Sequence, residues 1–224
     1  MDKSNLSIVM IGATGAVGGH TVKELLQMPE IGKLTLLGRR TVPYLVSKVV
    51  DQYKINLFDP SSYAELVSGH QTAICTLGVG QSSKVSKEDF IKIDKQAVLD
   101  FAQECKKSGI THFELLASVG TSTESSSFYL RTKGELVEAL KEMRFERLSV
   151  FQPSMILTPT NRYGFSQGVL LKFWPLLKPF LFGRLRKYRG VKVTDLGRAI
   201  ARNVLTPKKR EEYLVWDDFE RLTK

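Results

Sequence analysis

Three glycines spaced three apart, Gly12, Gly15 and Gly18, stand where an apolar run passes into helical sequence in "SIVMIGATGAVGGHTVKELL" (7–26). That junction constrains the chain more than any other segment, because each glycine gives up packing and helix propensity that another residue would supply. The spacing suits a strand running straight into a helix, with something brought close to the backbone between them. Gly12 permits the tight turn, Gly15 the approach of a pyrophosphate, and Gly18 the close packing of helix on strand. Thr14, Ala16 and Val17 belong to the same loop, and the free N–H groups and positive end of a helix over 16–28 face the phosphates. The expectation is a dinucleotide site, against the plainer reading of a glycine-rich structural turn.

The rest of the chain repeats the strand-to-helix alternation. Apolar, β-branched runs predict strands at 6–11, 33–37, 53–57, 72–76, 110–116, 147–151 and 213–216. Helical periods predict helices at 16–28, 60–68, 87–108, 126–143 and 194–205, with caps offered by Ser125–Ser127 and by Thr194 or Asp195. Continuous apolar strands between amphipathic helices predict a doubly wound α/β fold with a mostly parallel sheet covered on both faces. A length of 224 residues suits one such domain over 1–224, with 160–193 as an inserted lid or substrate-side segment.

Which dinucleotide is bound depends on the end of the second strand, where an acidic residue takes the ribose hydroxyls of NAD. Here "LTLLGRR" places Arg39 and Arg40 instead. A guanidinium attracts a 2′-phosphate and stacks on adenine, so NADP(H) is expected; two solvated loop arginines are the alternative. Asn56 and Leu57 follow the third strand, where an amide can both donate to and accept from the adenine edge. "CTLGVG" (75–80) ends the fourth strand with Leu77 and Gly78, a second close approach of backbone to the cofactor.

"YLRTK" sets Tyr129 and Lys133 four apart at the start of a helix, hence on one face. An ammonium beside a phenol favours phenolate and readies it for proton transfer. Ser118, at the end of the fifth strand in "ELLASVG", offers a hydroxyl to a substrate carbonyl oxygen. Read alone, the tyrosine–lysine spacing is a common surface pair. Behind a phosphate loop and a strand-end serine it reads as a reductase site.

In their order along the chain, "GATGAVGG", "LLASVG", "YLRTKGELVEAL" and "FQPSMIL" resemble the atypical short-chain dehydrogenase/reductases, and within them the Tat-interacting-protein-like oxidoreductases. The resemblance runs from about residue 6 to 205. It implies a Rossmann fold, NADPH binding and a Ser–Tyr–Lys set carried by Ser118, Tyr129 and Lys133, and it sets Pro153 and Ser154 beside the nicotinamide. Asn56 stands where the family often has aspartate, and Ser154 where glycine is frequent. The resemblance also allows a regulatory or protein-binding module that uses the cofactor structurally.

Charge adds one further question. Lys and Arg number 33 against 23 Asp and Glu, a formal charge of +10, and "GRLRKYRGVK" (183–192) with "TPKKR" (206–210) hold eight of the cations and no acid. No nucleic-acid module accompanies them, so no nucleic acid is expected. The segment 169–192 reads either as a pocket lid or as an interfacial membrane contact through Phe173, Trp174, Phe180 and Phe182 beside Arg184, Arg186, Lys187 and Arg189. His20, His70 and His112 lack partners at ligand spacing, so no metal is expected. The apolar run at 6–11 is too short for a secretory core, and Cys75 and Cys105 form no disulfide framework; a cytoplasmic protein is expected.

Overall fold

The structure, a computed structural model, describes residues 5–43, 45–80, 84–158, 181–207 and 210–224. The apolar runs form strands β1 (Leu6–Ile11), β2 (Ile31–Gly38), β3 (Val50–Lys54), β4 (Thr72–Cys75), β5 (His112–Leu116), β6 (Arg147–Phe151), β7 (Ile156–Leu157), β8 (Val191–Lys192) and β9 (Glu211–Leu214). The helices are α1 (Ala16–Leu25), α2 (Lys87–Ile91), α3 (Ala97–Lys107), α4 (Phe128–Glu142), α5 (Val193–Asn203) and α6 (Trp216–Thr223). A π-helical turn, Lys92–Gln96, joins α2 to α3.

Among the described residues, seven strands form one sheet in the order β3-β2-β1-β4-β5-β6-β9, with every pairing parallel. Neighbouring residues of a strand face opposite ways. Val9 and Ile11 of β1 belong to a core with Phe101 of α3 and Leu136 and Leu140 of α4. Ile8 and Met10 belong to a second core with Val22 and Leu25 of α1, Ile200 of α5 and Phe219 of α6. A strand buried on both sides must be apolar at nearly every position, which is why β1 reads as an unbroken run. This is the doubly wound Rossmann-type α/β fold. The strand order reverses between β1 and β4, so a crevice opens beyond their C-terminal ends.

Several sequence-predicted boundaries move. The third strand lies at 50–54, not 53–57. It is an edge strand whose residues are mostly exposed, while the apolar Ile55 and Leu57 sit in the core just past its end. The segment 60–68 forms two short 3₁₀ turns, Pro60–Ser62 and Glu65–Val67, in place of a helix. The last strand is 211–214, and Trp216 opens a helix that the apolar pattern does not announce; the Val215 N–H donates to Asp218 Oδ2 at 3.0 Å and starts it. Ser127 caps α4 as expected, whereas α5 begins at Val193, ahead of the caps expected at Thr194 or Asp195. Residues 160–180 of the expected lid, with Phe173, Trp174 and Phe180, lie outside the described residues.

One polar network is sealed under α5. Along β5 and β6, His112 pairs with Arg147 and Glu114 with Ser149, and Ser149 in turn pairs with Glu212 of β9. Arg147 donates to Glu212 at 2.6 and 3.0 Å and to the Thr206 hydroxyl at 2.6 Å; Ser149 donates to Glu212 at 2.6 Å. Asn203, at the end of α5, donates to Glu114 Oε1 at 2.8 Å, but Glu114 Oε2 has no hydrogen-bond partner. Burial pushes the Glu114 carboxyl up to about 8; Asn203 and Arg147 oppose the shift and the Glu212 charge adds to it. Glu114 is therefore largely a neutral acid at pH 7.

Candidate functional site

The three glycines divide by what requires them. Gly12 has φ 89°, and a Cβ on it would lie 2.6 Å from the Thr76 backbone. A Cβ on Gly18 would fall 2.2 Å from the Gly12 carbonyl oxygen. The packing of α1 against the ends of β1 and β4 therefore requires both. Gly15 is different: it is exposed, its φ is −74°, and an added Cβ would meet only the Gly12 carbonyl oxygen, at 3.1 Å. That carbonyl would have to give by only a few tenths of an ångström, so the fold makes a weaker demand for glycine there than at Gly12 or Gly18. What Gly15 leaves clear is the wall of a cavity.

That cavity has a volume of about 640 Å³ and lies at the sheet crevice. One wall is Gly15, Ala16 and Val17, at the start of α1; a second is Thr76–Gly80, leaving β4; a third is Tyr129 and Lys133, one turn apart on α4. Leu116 and Ala117 form the floor, with Lys84, Val85 and Ile156 at the margin. No acid stands in the first turn of α1 and no side chain caps it, so its leading N–H groups remain available to an anion.

A small crevice of about 20 Å³ lies on the other side of the loop, lined by Gly12, Thr14 and Gly38 with Arg40 and Gln52. Gln52 holds the turn beyond Arg40 by accepting from the Val42 N–H at 2.7 Å and donating to the Leu45 carbonyl at 3.2 Å.

The lysine of the site is not alone. Lys133 is buried, and its Nζ lies 2.9 Å from Oδ1 of Asp94, which the π turn carries in from the opposite wall. The other oxygen of Asp94 accepts the Val79 N–H at 2.7 Å, so a single carboxylate fastens both the ammonium and the backbone that leaves β4. Burial alone pulls the Lys133 ammonium down, but Asp94, Tyr129 and Cys75 together outweigh it, and the net shift is upward. Lys133 stays charged beside the tyrosine. Tyr129 packs against the Phe90 ring at 5.5 Å, and Lys95 of the π turn pairs with Glu135 of α4 at 2.6 Å. Burial raises the Cys75 thiol to about 12, so it is inert as a nucleophile.

Of the residues singled out in the sequence, Gly15, Ala16, Val17, Leu77, Gly78, Tyr129 and Lys133 line the cavity, and Gly12, Thr14 and Arg40 line the crevice. The remainder stand apart from both. Gly18 is buried between helix and strand, Arg39 is exposed, and Leu57 is in the core. The Asn56 side chain accepts the Phe58 N–H at 3.1 Å within its own turn. Ser118 follows the lining residue Ala117 and is half-buried, and Pro153 and Ser154 lie beyond β6.

A family model described as NAD(P)H-binding matches residues 12–148, which include the glycine loop, Asp94, Tyr129 and Lys133. The chain belongs to the NAD(P)H-binding family. Its type is that of the atypical short-chain dehydrogenase/reductases: it is 31% identical over 205 residues to Protein HTATIP2 of Rattus norvegicus, covering 91% of this chain and 83% of that one. It is 27% identical over 201 residues to "Protein FMP52, mitochondrial" of Lodderomyces elongisporus, covering 86% and 84%. Two further fungal relatives, from Aspergillus clavatus and Meyerozyma guilliermondii, bear the same name. These relatives overturn the expected cytoplasmic location, which rested only on a short apolar run and two unpaired cysteines. In fold, the chain matches MoeE5 in complex with UDP-glucuronic acid and NAD, with a TM-score of 0.71 at 15% identity over 93% of this chain and 75% of that one.

Its bonds to Lys133 and to the Val79 N–H make Asp94 the main residue that sequence reading missed. Its signal was present. In "FIKIDKQAVLDFAQEC" the acid occupies the apolar stripe between Phe90 and Val98, where a solvated carboxylate has no place.

Proposed function

We propose that the family's cofactor here is NADP(H) and that the chain reduces a carbonyl compound at Tyr129. The observation that carries this is one cavity lined both by the glycine loop and by Tyr129 with Lys133. The chain's own groups fit such a cofactor: the exposed Gly15 leaves room for a pyrophosphate, the start of α1 offers N–H groups, and Arg40 supplies a cation for the 2′-phosphate in the adjoining crevice. Bound there, a reduced nicotinamide supplies a hydrogen with its electron pair to the carbonyl carbon.

The protein's part is to manage the proton and the charge. The Tyr129 hydroxyl donates its proton to the carbonyl oxygen as that oxygen gains charge, and Lys133 stabilises the phenolate left behind. Asp94 keeps Lys133 in place and is a positioning residue. Ser118, one residue beyond the cavity floor, is assigned to hold the substrate oxygen. The test is Tyr129→Phe assayed with NADPH against a panel of aldehydes and ketones. Cofactor affinity is expected to persist while turnover falls roughly 100-fold or more; unchanged turnover removes Tyr129 from the chemistry.

A further inference from the structure

Residues 181–192 carry Arg184, Arg186, Lys187, Arg189 and Lys192 and no acid. Gly183–Tyr188 within them form a 3₁₀ helix. A 3₁₀ helix has three residues per turn, so side chains three apart stack along one edge. The sequence thereby sorts into three edges of distinct chemistry. Phe182, Leu185 and Tyr188 make an apolar edge, 72%, 48% and 37% exposed. Arg184 and Lys187 make a cationic edge, also exposed.

Arg186 and Arg189 make the third edge, which is turned onto the protein. Their guanidiniums lie 5.3 and 4.8 Å from the Trp216 ring, and Arg186 pairs with Asp217 at 2.5 Å. Trp216 and Asp217 open α6, so one edge is fixed to the domain and the other two are held outward. Lys192, beyond the helix on β8, is a further exposed cation.

We propose that this helix docks the protein on an anionic lipid bilayer, with Phe182 and Leu185 entering the headgroup boundary and Arg184, Lys187 and Lys192 meeting lipid phosphates. An apolar edge beside cations, with no acid between them, is the pattern an anionic interface selects. The surface complements the chain's charge of +10. An edge of three side chains is too small for the roughly 800 Å² per partner of a stable protein interface, whereas reversible docking on lipid needs only a shallow apolar insertion and a few cations.

The experiment is flotation of the full chain with phosphatidylcholine vesicles, with and without phosphatidylserine, over a salt series. Binding is expected only with phosphatidylserine and is expected to weaken as salt rises. Arg184→Gln with Lys187→Gln lowers partitioning roughly 30-fold, from about 1 kcal/mol per cation at 1.4 kcal/mol per tenfold. Phe182→Ser with Leu185→Ser lowers it at least about tenfold at low salt. Both pairs are exposed, and unchanged far-UV circular dichroism and NADPH affinity confirm that each variant is folded. Any of these results overturns the proposal: no binding at low salt, equal binding to neutral vesicles, binding of soluble glycerophosphoserine without vesicles, or indifference to the Phe182 and Leu185 changes. Each leaves the reductase reading untouched.

Discussion

Replacing Glu114 by glutamine isolates the cost of one buried carboxyl group. In the unfolded chain Glu114 ionises with the ordinary value of 4.5; in the fold it holds its proton up to about 8. Between those values the folded state binds more protons than the unfolded state, so stability falls as pH rises, by about 1.4 kcal/mol per pH unit. Below 4.5 both states are protonated and the group costs nothing; above 8 the full penalty applies. From pH 6 to pH 8 the wild type is expected to lose roughly 2 kcal/mol from this group, allowing for the flattening as ionisation of the folded state begins.

In Glu114→Gln the new amide has no charge to lose and still accepts from Asn203, so the variant omits that loss. His112, whose Nε2 lies 3.5 Å from Glu114 Oε1, is present in both proteins, and two other titrations do not imitate the loss. Glu212, held below the usual carboxylate range with burial opposed by bonds from Ser149 and Arg147, contributes stability that is present above 4.5 and lost in acid. His70, lowered chiefly by burial, favours the fold as pH rises towards 6.5 and does so equally in both proteins. Urea melts at half-unit intervals from pH 6 to 8.5 measure the difference, a drop of about 1 M in the wild-type midpoint that the variant lacks. Parallel losses in the two proteins, or a wild-type midpoint that does not move, refute a neutral buried acid at this position.

Three more outcomes are expected. Asp94→Ala strands the Lys133 ammonium in the core and is expected to cost about 3–5 kcal/mol by urea denaturation, while Asp94→Ala with Lys133→Met recovers most of it; a single variant within about 1 kcal/mol of wild type refutes the pairing. Gly18→Ala forces backbone apart and is expected to cost about 1–3 kcal/mol, whereas Gly15→Ala is expected to cost clearly less and to lose NADPH affinity by fluorescence titration; the opposite assignment refutes the division between structural and ligand-facing glycines. Arg40→Ala is expected to weaken NADPH about tenfold or more and to leave NADH within about twofold, measured by calorimetry; equal losses for both coenzymes refute the 2′-phosphate role.

How much could be read in advance follows from how local each determinant is. The strands of the sheet interior announce themselves because Ile8 to Ile11 must be apolar on both faces, and Gly12 and Gly18 because backbone approaches backbone there. β3 misled because an edge strand carries little burial, so the stronger signal came from Ile55 and Leu57, which are buried outside any strand. Trp216 looked like the end of a strand because the cap that starts α6, Asp218 folding back on Val215, follows the apolar run and does not interrupt it. Tyr129 and Lys133 were legible from a four-residue spacing within one helix. Asp94 was not, because its partners lie 15 and 39 positions away by sequence number, on Val79 and Lys133, and only the closed sheet brings them together. Asn56 shows the reverse error, an apt side chain that satisfies its own turn first.

The turn that carries Asp94 leaves a mark on how this chain can change length. A π turn holds one residue more than an α-helix needs, and each residue of a helix advances the side chains by about 100°. Deleting a single position between Lys92 and Gln96 would restore an α-helical turn and leave the segments on either side close to their present phase, because the five residues of the π turn wind about as far as four of an α-helix. Phe90 would keep the Tyr129 ring and Val98 its place in the core, while Asp94, on the turn itself, would swing away from Lys133. Loops on the surface can gain and lose residues freely; here a one-residue gap would spare the packing on either side and act as loss of the carboxylate at Lys133 does.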